Sequence, residues 1–289
     1  MQIDRKALSE SKKLARKYKP DLKGIVVAGI GGSNLGTLAI WRALRPEIEI
    51  GFAETLDARR LDRILPHVGA GTVVAVISKS GTTAETIANA AVLLGKAKKA
   101  KVVAITDENS KLWQWAKKNK IDVLSTPAEV GGRYSVFSAV GLFPLALAGI
   151  NVDKLLAGAK KASAAVAEKS AAEIFRHYQA GKTIHDLFIF EPDLEYLGRW
   201  FRQLVGESLG KDGKGITPTV SIGTTDLHSV GPLYLGGPKD KFTTFVSVKK
   251  HGKDFTVPDK SGLATLVPDI AGKKFSQILN AVLKGVKAA

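Results

Sequence analysis

Residues 72–99 read TVVAVISKSGTTAETIANAAVLLGKAKK, and the fold follows from how this stretch divides. Val73, Val74, Ala75, Val76 and Ile77 form an apolar run with no polar alternation. Such a run predicts a strand buried on both faces, as in a parallel sheet covered by helices. Ser78, Lys79, Ser80, Gly81, Thr82 and Thr83 follow, placing four hydroxyls, one ammonium and one glycine in six residues. From Ala84 onward Ile87, Ala91 and Leu94 recur at helical spacing, and Thr82 with Glu85 fits a capping box. A strand, a small polar turn and a helix start together make an anion site. The first-turn N–H groups have no partner inside the helix, and the helix dipole favours negative charge there. The hydroxyls add donors, and Lys79 adds a point charge suited to phosphate. The turn lacks the G-x-x-x-x-G-K-[ST] spacing of a P-loop. A phosphate-bearing small molecule is the expected ligand; a well-capped connection without a ligand is the plain alternative.

A chain of 289 residues can hold one large or two medium domains, and its 45% hydrophobic and 24% charged content is that of a globular protein. The absence of cysteine excludes disulfides, thiolate metal sites and a cysteine nucleophile. No stretch reaches the roughly 18 apolar residues of a membrane helix, and the first residues lack the apolar core of a secretory signal. A cytoplasmic protein with no membrane partner is therefore expected. Lysine and arginine exceed acidic residues by 16. The lysines cluster at segment ends (Lys96, Lys98, Lys99, Lys101; Lys117, Lys118, Lys120) without interleaved aromatics, which predicts a solvated face rather than a nucleic-acid groove.

Outward from the central stretch the same rhythm recurs. Residues 1–20 read as a polar helix. Gly24 to Ile30 is a second buried strand, followed by Gly31, Gly32, Ser33 and Asn34 and a helix through Leu44. Asn34 stands where a dinucleotide fingerprint needs its third glycine. Segments 48–53, 101–106 and 121–124 read as further strands, with helices near 57–66 and 109–119 between them. Strand alternating with helix five times predicts an α/β doubly wound parallel sheet. Val136 to Ile150 reads as a buried helix. Residues 152–181 read as one long Ala/Lys connector helix. A second α/β half follows, with strands at 186–191, 216–222 and 241–249, helices at 193–209 and 226–235, and a last helix at 273–288. The expected division is 1–151 and 152–289.

Five motifs together, GIGGSNLG (29–36), SKSGTTAET (78–86), GGRYSVFSAVGLFPLALAGI (131–150), GESLGKDGKGITP (206–218) and GTTDLHS (223–229), resemble the glucose-6-phosphate isomerase family of bacterial and archaeal type. The resemblance implies two sugar-isomerase (SIS-type) subdomains, each a parallel sheet between helix layers. It also implies interconversion of glucose 6-phosphate and fructose 6-phosphate through a cis-enediol, in glycolysis and gluconeogenesis, by a homodimer needing no cofactor or metal. By motif, Ser78, Lys79, Ser80, Thr82 and Thr83 take the phosphate, and Gly32 and Ser33 line the cleft. Glu207 is the general base, Arg133 the enediolate-stabilising cation, His228 the ring-opening group reaching a neighbouring subunit, and Gln203 a substrate-binding residue. The chemistry agrees: aldose–ketose exchange needs a carboxylate to shuttle a proton, a fixed cation, and an acid/base active near neutral pH. The family's C-terminal Q-x-G-V-E-x-x-K-like pattern, which brings a lysine to the ring oxygen, does not occur before Ala289. A phosphosugar-binding module with weak or no activity is therefore the alternative expectation.

Overall fold

The structure, a computed structural model, describes residues 5–97, 99–260 and 262–289; residues 1–4 of the predicted first helix and Lys98 of the lysine cluster lie outside them. Strands β1 (Gly24–Ala28), β2 (Ile50–Ala53), β3 (Thr72–Ile77), β4 (Lys101–Thr106) and β5 (Asp122–Ser125) form one all-parallel sheet in the order β2-β1-β3-β4-β5. The two-sided burial expected of β3 is its actual state. Val73, Ala75 and Ile77 join one core with Ile25, Val27, Val103 and Ile105, while Val74 and Val76 join another with Val26, Ala28 and Ala104. Successive side chains of a strand point to opposite faces, so an unbroken apolar run is what two covered faces require.

Helices α1 (Arg5–Tyr18), α2 (Leu35–Leu44) and α6 (Ala139–Leu147) cover the first face, through Ala15, Leu38, Trp41, Leu142, Phe143 and Leu145. Helices α3 (Ala58–Ile64), α4 (Ala84–Lys96) and α5 (Lys111–Lys118) cover the second, through Leu61, Ala90, Leu93, Leu112 and Ala116. Helix α6 is buried almost all round, as its sequence predicts. Pro144 inside it has no N–H for the carbonyl of Val140, and the Thr37 hydroxyl of α2 reaches that oxygen at 3.5 Å.

The single connector helix expected over 152–181 is two helices, α7 (Val152–Ala159) and α8 (Ala164–Gln179). Ser163 supplies the reason, because its hydroxyl accepts the Val166 N–H and starts a new helix there. Helix α7 buries Val152 and Leu156 in the core of the first sheet, whereas α8 buries no residue.

The second half contains β6 (Ile184–Ile189), helix α9 (Glu195–Leu209), β7 (Thr217–Ile222), helix α10 (Gly231–Gly236), β8 (Lys241–Val246) and helix α11 (Phe275–Ala288). Its three strands are parallel, in the order β7-β6-β8. The helix expected at 226–235 is a short 3-10 turn, Thr225–His228, followed by α10, and β8 stops at Val246, short of 249. Phe188, Phe190 and Leu283 form a small core with Tyr234 and Phe245. Phe242 lies sandwiched between the rings of His177 and His185, at centroid distances of 4.6 and 4.3 Å, which ties α8 to this sheet. The two halves meet where α9 packs on α2. Among the described residues no helix is long and apolar enough to cross a membrane.

Candidate active site

In the order β2-β1-β3-β4-β5 the chain leaves β1 and β3 towards opposite edges, so a crevice opens between their carboxyl ends. The glycine turn Gly31–Ser33 follows β1, and the hydroxyl turn 78–83 follows β3. Both stretches singled out in the sequence therefore flank the switch point of one sheet.

The hydroxyl turn is internally bonded. Ser78, 1% exposed, shares a 2.8 Å hydrogen bond with the Thr83 hydroxyl and accepts the Gly81 N–H at 3.1 Å. Gly81 has φ +70°, and a Cβ there would stand 2.8 Å from Ser110 Oγ, so the turn needs glycine. Ser80 and Thr82 are exposed, with Thr82 Oγ1 donating to Ser80 Oγ at 3.2 Å. The capping box expected from Thr82 and Glu85 does not form. Thr83 is the N-cap of α4, its hydroxyl engages Ser78, and no side chain caps the helix. The first-turn N–H groups stay available to an anion.

Lys79 is placed differently from the other members of the turn. Its ammonium donates to the carbonyls of Ala128 and Val130, both at 2.7 Å, and of Pro127 at 3.5 Å.

The glycine turn is pressed against the segment that carries Arg133. A Cβ on Gly32 would lie 2.2 Å from the carbonyl carbon and oxygen of Gly132. Ser135 Oγ completes the contact, donating to the carbonyls of Gly32 and Gly132 at 3.1 and 2.7 Å. Ser33 is half-buried in the same turn. Trp200 of α9 donates its indole N–H to the Arg133 carbonyl at 3.0 Å.

Helix α9 brings Gln203, Glu207 and Ser208 over this floor. Arg133 Nη1 lies 3.3 Å from Glu207 Oε2, and Arg133 Nε donates to Ser208 Oγ at 3.0 Å. Gln203, one turn before Glu207, donates to its Oε1 at 2.8 Å and lies against Gly31. Tyr134 shares a 2.7 Å bond with Ser208, and the Arg133 guanidinium stands 4.6 Å from its ring centroid. The Ser208 hydroxyl and then the Arg133 guanidinium hold the Tyr134 phenol below its ordinary value. Arg133 and Glu207, 74 residues apart, thus face one another with their partners fixed. A carboxylate opposite a guanidinium over the glycine turn, with the anion-ready turn following the neighbouring strand β3, can move a proton beside a stabilised negative charge.

His228 is not brought into this cluster. It lies exposed at the end of the Thr225–His228 turn after β7, outside the bonds that join Arg133, Glu207, Gln203 and Ser208. Tyr134, Ser208 and Trp200 are members of the cluster that the sequence reading missed, although the first two sit inside the quoted GGRYS and GESLG motifs. Among the described residues no group of three or more histidine, aspartate or glutamate side chains stands where it could hold a metal ion.

The phosphoglucose isomerase family model matches residues 11–239. The glucose-6-phosphate isomerase of Rubrobacter xylanophilus is 37% identical, over 96% of this chain and 71% of its own length. Of solved structures, a hypothetical protein from Thermus thermophilus superposes with a TM-score of 0.88 at 31% identity, over 96% of this chain and 72% of that one. A glucose-6-phosphate isomerase from Chlamydia trachomatis superposes with a TM-score of 0.81, over 98% and 58%; at 21% identity it speaks for the fold.

Proposed function

The chain belongs to the phosphoglucose isomerase family, and from that premise we propose that it interconverts glucose 6-phosphate and fructose 6-phosphate through a cis-enediol. The observation that carries the reading is the Glu207–Arg133 pair, 3.3 Å apart above the crevice between β1 and β3. In this scheme the sugar phosphate enters with its phosphate on the hydroxyls of Ser78, Ser80, Thr82 and Thr83 and on the start of α4. Gly32 and Ser33 line its path. Glu207 takes the proton from one of the two carbons C1 and C2 and returns it to the other, and the Arg133 guanidinium balances the charge that develops on the enediolate oxygen. Gln203 holds the carboxylate in place throughout. Ring opening falls to His228, which in a homodimer reaches the site of the neighbouring subunit. Two sugar-isomerase subdomains dividing near 151, a cytoplasmic location and a place in glycolysis and gluconeogenesis go with this reading.

The binding-only alternative raised by the sequence is set aside, because a relative matched over 96% of the chain carries the isomerase name. The test is incubation of the full chain with fructose 6-phosphate in deuterium oxide. Glucose 6-phosphate carrying deuterium at C2 is the expected product. Binding without turnover overturns the reaction, and solvent deuterium at C2, even in part, excludes a direct hydride shift because only a proton held on a base such as Glu207 can exchange before it is returned.

A further inference from the structure

Lys79 is the one cation of the hydroxyl turn, and a phosphate ligand is the role its position in the sequence suggests. Its geometry points elsewhere. A lysine ammonium has three N–H donors and no acceptor. Three carbonyls surround this one, two at 2.7 Å and one at 3.5 Å, all from the four-residue stretch Pro127–Val130. Turning the ammonium towards an anion would strip those oxygens of a charged donor, and hydrogen bonds to charged groups are among the stronger ones in a protein. The Lys79 backbone is itself fixed, since its carbonyl accepts the Asp107 N–H at 3.1 Å and the Thr106 hydroxyl at 3.3 Å at the end of β4. One residue therefore joins the rigid end of the sheet to the stretch that leads directly into Gly131, Gly132 and Arg133.

We propose that Lys79 is a positioning residue and not a phosphate ligand. Its ammonium clamps the backbone of residues 127–130, and the clamp keeps the Gly132–Arg133 segment seated on the glycine turn with the guanidinium facing Glu207. Its kinetic consequence rests on the isomerase reading above; its structural consequence does not.

Lys79→Met keeps the length of the stem and removes the donors. In this variant the amides of residues 128–134 should exchange hydrogen at least tenfold faster than in the parent, with those of α4 unchanged. With fructose 6-phosphate, kcat should fall at least tenfold while KM and the inhibition constant of orthophosphate stay within threefold. Lys79→Arg, which retains a charged donor, should recover part of both the exchange protection and kcat. Orthophosphate inhibition weakened tenfold or more, with kcat and exchange unchanged, would put the ammonium on the phosphate and overturn the proposal. Unchanged exchange at 128–134 overturns it whatever the kinetics. If the Met variant does not fold, Lys79→Gln carries the same exchange measurement. A parent chain without isomerase activity would defeat the proposed reaction, while the exchange comparison would still decide the clamp.

Discussion

The close approach of Gly32 to Gly132 sets the size of one effect. A methyl group on residue 32 would lie 2.2 Å from two backbone atoms of Gly132 and 2.6 Å from the Arg133 nitrogen, where ordinary contact begins at 3.4 Å. Both partners are main chain, so no side chain can swing aside, and one of the two turns must retreat by about 1.2 Å. Overpacking of this kind costs about 1–3 kcal/mol. At roughly 2–4 °C per kcal/mol for a chain of this order of size, Gly32→Ala should melt several degrees below the parent. The retreat also carries Arg133 away from Glu207, and a misplacement of about 1 Å can cost on the order of 100-fold in turnover. Gly132→Ala is the matched control: its Cβ meets nothing within 4 Å, so its melting point should stay at the parent value. Thermal unfolding followed by circular dichroism, with initial rates on fructose 6-phosphate, measures both effects. A Gly32→Ala protein with parental melting point and rate would refute the argument, as would a Gly132→Ala protein equally destabilised.

Glu207→Gln should lower turnover roughly 10²–10⁴-fold, the range for losing a general base, and shift the melting point little, because exposed ion pairs contribute about 1 kcal/mol or less. Initial rates within tenfold of the parent would remove Glu207 from the base role. Ser78→Ala deletes the acceptor of the Gly81 N–H and the partner of Thr83, and should cost about 1–3 kcal/mol in denaturant titrations; a loss under about 0.5 kcal/mol would mean the turn holds its shape without that hydroxyl. Burial, and next the nearby His177, press the His185 imidazole down to about 4, whereas the unfolded chain protonates it near the ordinary value of about 6.5. Unfolded chains thus bind more protons between those values, so stability is full above about 6.5 and falls as pH drops towards 4. His185→Phe should flatten that slope in melting curves from pH 7 to 4.5, and equal slopes would show that the ring does not report this burial.

What the sequence made legible is local. The strand β3 could be read because two covered faces demand apolar residues at every position, and the buried α6 because nothing polar interrupts it. The hydroxyl turn was visible from composition alone. Its internal wiring was not: Thr82 and Thr83 are equivalent as letters, and only the placement of Ser78 decides which of them precedes the helix. The partners of Lys79 lie 48 to 51 residues away and are carbonyl oxygens, which every residue possesses, so no pattern could announce them. The division of the connector into α7 and α8 had one signal, the N-capping Ser163, set in an Ala/Lys background whose high helix propensity masked it. The Arg133–Glu207 meeting could be anticipated only through the family resemblance, since nothing in either segment points to the other.

The burial of α6 has a consequence for how the polypeptide can be divided and synthesised. All five strands of the first sheet have left the ribosome by Ser125, yet one face of that sheet is then covered by α1 and α2 alone, because the rest of its cover comes from residues 139–147 together with Val152 and Leu156. A nascent chain halted in that interval leaves the core around Val27, Ala75, Ile77 and Ile105 incompletely covered, an apolar surface of the kind that recruits chaperones or aggregates. A dissected N-terminal fragment ending at β5 should therefore be insoluble, whereas one extended through α7 brings its own lid.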